Sequence, residues 1–198
     1  MLKILAGQYR SRILESPTDT ATTRPIVARV KESVFNLLRG WFDDAIVLDL
    51  FAGVGTIGLE AVSRGAREVV MVERDRKIAA MLRFNVEELG CGDRAVVVEA
   101  DALGPAALAQ APRACDLVFL DPPYPLWQDP ETRRRLVDLV SRCRTVMKPS
   151  SFLVLRTPDC EGVDEIPGFD GPETHQYGED MYVHLFMPTS REMDAGSE

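Results

Sequence analysis

The sequence is poor in the features that would place it outside ordinary globular proteins. It has no apolar run near the roughly 20 residues a membrane span needs, and its N-terminal run, Met1 to Arg10, is too short for a signal-peptide core. A cytoplasmic, soluble protein is the expectation. Cysteine is scarce: Cys91, Cys115, Cys143 and Cys160 lie far apart, with no C-x-x-C pair and no histidine pair nearby. That excludes a zinc module and a disulfide scaffold, and implies reduced thiols, three of them packed. The two histidines, His175 and His184, have no carboxylate or serine at a meaningful spacing, so neither a metal site nor a catalytic triad is expected. Repeats and low-complexity tracts are absent.

Basic charge is also short, with 23 Lys and Arg against 31 Asp and Glu. Taken alone, that balance disfavours a nucleic-acid partner, since phosphates are met by clustered cations. The distribution is uneven. Residues 1–40 carry a net +4 and residues 159–198 a net −10, and an acidic protein can still present a basic face.

What the chain does have is 198 residues, 45% of them hydrophobic, enough for one well-cored domain. From about residue 45, short apolar runs alternate with helix-period segments. Strands are expected at 45–50, 68–73, 95–100, 116–121 and 151–156, with a last one at 181–187. Helices are expected at 56–64, 75–89 (stopped by Gly90), 105–110 and 130–146. The pattern predicts an α/β fold, a doubly wound Rossmann-like sheet, mostly parallel, with an antiparallel last strand. Residues 1–44 read as a small N-terminal extension, with short strands at 3–6 and 11–15 and a helix at 26–39. Residues 45–188 read as the core, and 189–198 as a flexible acidic tail.

In such sheets, ligands sit at the carboxyl ends of the strands. The first strand ends in Asp49-Leu50-Phe51 and runs into Gly53-Val54-Gly55-Thr56-Ile57-Gly58, a G-x-G-x-x-G loop, and Glu73 closes the second strand 20 residues after Gly53. Glycines there admit a ligand close to the backbone, and Glu73 can accept hydrogen bonds from a ribose diol. A bland tight turn is the competing reading. Asp49 ahead of the loop disfavours a pyrophosphate and favours a ligand bearing an ammonium and a sulfonium, such as S-adenosyl-L-methionine. Asp101, near the end of the third strand, suits the adenine amine. The cofactor positions are Asp49, Phe51, Gly53, Gly55, Thr56, Glu73, Asp101 and Ala102.

The fourth strand ends in Asp121-Pro122-Pro123-Tyr124. Two prolines fix φ and remove two N–H donors, leaving the Pro122 carbonyl and the Asp121 carboxylate as outward acceptors. An exocyclic amine, with two hydrogens to donate, fits that pair, and Tyr124 can stack on a base. These four are the candidate catalytic residues. The plain alternative is a stiff turn.

These motifs resemble those of class I S-adenosylmethionine-dependent methyltransferases acting on exocyclic amines. Residues 1–187 as a whole resemble the RsmD family, which methylates N2 of a guanine in small-subunit (16S) ribosomal RNA. The likeness includes Ile4 to Arg10, Thr23-Arg24-Pro25, Arg29 to Asn36, Leu59 to Ala66 and Tyr177-Gly178. It implies that fold, that cofactor and, as partner, ribosomal RNA or an assembling small subunit, without a metal or a membrane. A monomer is expected. Lys31 stands where the family commonly has Arg. Tyr9, Arg10, Arg12, Arg24, Arg29 and Lys31 are the candidate RNA contacts, expected beside the active-site mouth, although a solvated face would look the same in sequence. Arg24 could equally reach the cofactor carboxylate. Arg133, Arg134 and Arg135 read as surface, Asn85 as a surface or cap residue, and Trp127 as a lid or a loop anchor. The competing functions are methylation of another amine on DNA adenine or protein glutamine, an NAD-dependent oxidoreductase, and a catalytically silent RNA- or ribosomal-protein-binding module.

Overall fold

The computed structural model describes residues 2–17 and 28–189. Its elements are α1 (Ala28–Leu37), β1 (Ile46–Asp49), α2 (Gly58–Ser63), β2 (Glu68–Glu73), α3 (Arg76–Leu89), β3 (Ala95–Glu99), α4 (Pro105–Ala109), β4 (Cys115–Leu120), α5 (Tyr124–Gln128) and α6 (Pro130–Cys143). A 3-10 turn at Arg144–Val146 precedes β5 (Met147–Thr157), β6 (Phe169–Gln176) and β7 (Tyr182–Pro188). The strands form one sheet in the order β3-β2-β1-β4-β5-β7-β6. β1 to β5 pair in parallel, and β7 runs antiparallel to both β5 and β6. The doubly wound, mostly parallel sheet expected from the sequence is therefore observed.

Alternation along the strands builds two apolar layers. Val47, Met71, Leu117 and Phe119 face α1, α2 and α3, whereas Leu48, Val70, Val118 and Leu120 face α4 and α6. Local signals set the helix ends. Asp75 caps α3 by accepting from the Lys77 and Ile78 amides at 2.8 and 3.0 Å, and Gly90 stops it with φ 63°.

Several parts differ from the sequence reading: the helix expected at 130–146 ends at Cys143, and β5 begins at Met147 rather than at 151. β6 is an edge strand on which only Phe169 is buried, so it carries no apolar alternation. α5 is a five-residue helix too short to leave a period. Among residues 2–17, the predicted strand pair is a single bridge, Lys3 to Ile13. The described part of residues 1–44 packs into the main core: Ile4, Leu14, Val34 and Phe35 are buried in the same cluster as the sheet, and the Phe35 ring stacks on Phe119 with centroids 6.1 Å apart. Of the tail, only Thr189 is described.

Candidate active site

Between β1 and β4 the strand order reverses direction, and this switch point opens at the carboxyl ends of both strands. Asp49 is the last residue of β1 and Asp121 follows the last residue of β4, so the parallel register brings both carboxylates to one end. Asp49 is fully buried. Its Oδ2 accepts from the Gly58 amide at 3.0 Å, while Oδ1 has no partner among the described residues. Burial, and then the charge of Asp121, push its carboxyl up to about 7. A buried acceptor without a donor, in a negatively charged niche, fits a cationic ligand that brings N–H groups.

The glycine loop is built for two different reasons. Gly53 has φ 56°, and a Cβ there would meet nothing within 4 Å, so its face is open to a ligand. Gly55, with φ 93°, is instead a packing glycine: a Cβ would lie 2.5 Å from Leu82 Cδ1 and 2.7 Å from Leu59 Cδ1. The expectation that Gly55 serves close ligand approach is corrected by that crowding. Glu73 accepts from the Gly53 amide at 3.0 Å and the Asp75 amide at 2.7 Å, holding the loop from β2. Phe51 and Thr56 are half-buried in the same turn, Ala102 is buried, and exposed Asp101 accepts from the Leu103 amide at 3.0 Å.

Asn85, which sequence reasoning leaves on the surface, is buried. It donates to the Val54 and Glu15 carbonyls, both at 3.0 Å, and accepts from the Glu15 amide at 2.8 Å. It thereby ties the glycine loop to the N-terminal segment. Nothing in the sequence distinguishes it from an ordinary helix-surface asparagine.

At the end of β4, the Pro123 carbonyl is taken by the Leu126 amide at 2.9 Å. Among the described residues nothing donates to the Pro122 carbonyl, which remains available. Asp121 Oδ1 is held by Arg156 Nε in a buried ion pair, and among the described residues Oδ2 has no hydrogen-bond partner. Arg156 Nη1 also donates to the Tyr124 hydroxyl at 3.1 Å, and its guanidinium lies 5.0 Å from the centroid of that ring. Burial raises the Asp121 carboxyl, and Arg156 opposes the rise. Trp127 is buried, and its indole N–H donates to Asp159 at 3.0 Å, so it anchors the loop rather than forming a lid.

The predicted RNA contacts do not converge. Lys31 is buried and is corrected from a phosphate contact to a structural cation: its Nζ lies 3.0 Å from Glu60 and donates to the Lys3 and Thr56 carbonyls. Glu60 also accepts from the Leu5 and Ala6 amides and from Arg64. Tyr9, Arg10 and Arg12 are not beside the mouth. The Gln8 and Tyr9 amides bond Ser63 at the end of α2, and the Tyr9 hydroxyl accepts from Arg94, which precedes β3. These anchors lie at the amino ends of the strands, one strand length or about 13–20 Å from the site. Arg12 donates to the Glu88 carbonyl. Arg29 is exposed in the first turn of α1, whose Lys31 reaches the glycine loop, so it stands at the site end. Arg24 lies outside the described residues. Three exposed cations that sequence reasoning missed, Arg74, Arg76 and Lys77, follow β2 at the carboxyl end. Their place just after Glu73 was the available signal. His184 is buried between the Thr157 and Thr174 hydroxyls, at 2.8 and 2.9 Å, and among the described residues no group of side chains could hold a metal.

The strand order, with β7 inserted antiparallel beside β5, and the glycine loop facing Asp121-Pro122-Pro123-Tyr124 define a Rossmann-like class I methyltransferase fold. The family model described as Conserved hypothetical protein 95 matches residues 2–185, and the chain belongs to this family, the RsmD family. The chain is 41% identical over 123 residues to ribosomal RNA small subunit methyltransferase D of Escherichia coli strain K12, a match covering 62% of this chain and 60% of that protein's length. The solved structure of the E. coli protein yhhF is 30% identical and superposes with a TM-score of 0.78 over 96% of this chain and 99% of that one. An RNA methyltransferase from Salinibacter ruber, in complex with S-adenosyl-L-homocysteine, shares the fold at 20% identity, with a TM-score of 0.59 over 88% of this chain and 100% of that one.

Proposed function

We propose that this chain binds S-adenosyl-L-methionine and methylates the exocyclic N2 amine of a guanine in small-subunit ribosomal RNA. The observation that carries the reading is the meeting of two acceptor sets at one switch point. The Asp49 oxygen that has no partner among the described residues lies at the end of β1, and the Pro122 carbonyl and Asp121 Oδ2, to which no described residue donates, lie at the end of β4. When bound, the cofactor supplies an electrophilic methyl group on a sulfonium.

Asp49 takes the cofactor's cationic end, the open face over Gly53 admits its backbone approach, Glu73 accepts from the ribose diol, and Asp101 meets the adenine amine. Phe51, Thr56 and Ala102 line the same niche. On the other side, Asp121 and Pro122 accept the two N–H bonds of the amine and turn its lone pair toward the methyl group, while Tyr124 stacks on the base. The amine loses its proton readily once alkylated, so no strong general base is required. Phosphate contacts fall to Arg29, Arg74, Arg76 and Lys77 at the site end; Arg10, Arg12 and Tyr9 can meet only RNA that reaches the far end of the sheet. The partner in this reading is ribosomal RNA or an assembling small subunit, met by a cytoplasmic monomer.

Titration of the purified protein with S-adenosylmethionine and, separately, with NAD tests the cofactor. Methyl transfer to unmodified small-subunit particles, naked ribosomal RNA and DNA tests the substrate. Binding of NAD alone, or labelling of DNA alone, overturns the proposal.

A further inference from the structure

Arg156 stands near the end of β5, beside Asp121 on β4, at the same carboxyl edge of the sheet as the other site residues. It is 5% exposed. Val34, Phe119 and Val183 line the same small cavity as the pair and make that lining largely apolar. A guanidinium buried there needs a reason, since replacing such an ion pair by apolar side chains is often neutral or stabilising. Its geometry supplies one: a single cation engages Asp121 through Nε and the Tyr124 hydroxyl through Nη1, and lies over the Tyr124 ring. The two side chains assigned to the reacting base are thus fixed to each other by one rigid plane.

We propose that Arg156 is a positioning and specificity-determining residue: by pairing with Asp121 it presents an acceptor-only carboxylate to the base and locks Tyr124 against it. The inference rests on the proposed methyl transfer. An acceptor-only carboxylate matches a base edge on which a ring N–H stands beside the amine, the donor-donor edge of guanine. It meets a bare ring nitrogen on adenine and cytosine, where two lone pairs oppose each other. Without Arg156, burial would favour the protonated carboxyl, which donates a hydrogen and matches the wrong edge. Among the described residues, the charged and titratable groups facing Asp121 are Asp49 from β1, Arg156 from β5 and Tyr124 from α5, and Asp180 in the β6–β7 turn acts on Tyr124.

The test compares wild type, Arg156→Met, Arg156→Lys and Asp121→Asn on unmodified small-subunit particles. The readouts are kcat across pH 6 to 9, S-adenosylmethionine affinity by calorimetry, and the partition of label between N2-methylguanosine and N6-methyladenosine. Arg156→Met should bind S-adenosylmethionine within about twofold of wild type, lose about a hundredfold in kcat at neutral pH, and recover activity as pH rises, because its carboxylate ionises later. Arg156→Lys, which keeps the charge and guards against a folding failure, should keep the wild-type pH limb with a lower kcat. Asp121→Asn, which puts a donor beside the acceptor, should raise the adenine share of whatever label remains. Wild-type kcat and pH profile in Arg156→Met, or an unshifted pH limb in a folded Arg156→Met, would overturn the role of Arg156. A wild type that binds S-adenosylmethionine but labels no RNA overturns the methyl-transfer reading itself and this inference with it.

Discussion

Asp49 ends β1 and Asp121 directly follows β4, its parallel neighbour, and the charge of Asp121 raises the cost of ionising Asp49 across the switch point. Among the described residues, a buried cation, Arg156, pairs with Asp121 and none pairs with Asp49. Asp49 therefore holds its proton up to a pH of about 7 when no cationic ligand is bound. A cationic ligand favours the ionised form, so S-adenosylmethionine affinity should increase between pH 5.5 and 7.5, by up to about tenfold per unit below 7. Asp49→Asn should remove this slope. Stability measured without cofactor runs the other way. The folded state holds more protons than the unfolded state between about pH 4 and 7, so the contribution of Asp49 is fullest below 3.8 and is lost as pH rises toward 7. Asp49→Asn should gain stability relative to wild type over that window. Calorimetric titrations and thermal melts at stepped pH check both signs; a flat affinity profile in wild type contradicts the placement of the cationic group.

The two glycines of the loop should separate binding from folding. Gly53→Asn puts a side chain that tolerates φ 56° into open space, and should weaken S-adenosylmethionine binding at least tenfold with little change in melting temperature. Gly55→Ala drives a Cβ into Leu82 and Leu59 and should cost about 1–3 kcal/mol of stability. If Gly53→Asn binds normally, the ligand does not cross that face.

Lys31 and Arg29, two residues apart on α1, should answer differently to mutation. Lys31→Met leaves buried Glu60 short of one cation, with Arg64 and two amides still holding it, and should cost about 3 kcal/mol in denaturant unfolding. It should leave the salt dependence of RNA binding unchanged. Arg29→Glu should do the opposite, flattening the slope of log affinity against log salt by about 0.7–0.9 for one phosphate no longer neutralised, without a stability penalty. A flattened slope in Lys31→Met would mean that the lysine is not held inside.

Much of this arrangement is legible in the chain. The apolar runs give β1 to β5 and β7, Gly90 marks the end of α3, and acids and glycines at strand ends locate Asp49, Glu73 and Asp121. What the sequence hides is polar and long-range. β6 is an edge strand with one buried side chain, so its pattern is that of a loop. Glu60 sits inside Leu59-Glu60-Ala61-Val62 like any helix-surface acid, yet it is buried because four donors from α1, α2 and the N-terminal segment converge on it. Asn85 and Arg156 are singled out by distant partners, including ones 31 to 70 and 32 to 35 residues away. The positive charge of residues 1–40 signals cations but not their ends of the sheet. The fold places Tyr9, Arg10 and Arg12 at the amino ends of the strands and Arg29 at the carboxyl ends.

The most direct measurement is the identity of the methylated nucleoside. Unmodified small-subunit particles are incubated with the protein and methyl-labelled S-adenosylmethionine, the RNA is digested, and the nucleosides are separated and weighed by mass spectrometry. The proposal predicts label in N2-methylguanosine, reduced about a hundredfold by Asp121→Ala while cofactor affinity is retained. Label in another nucleoside, or undiminished labelling by Asp121→Ala, would contradict it.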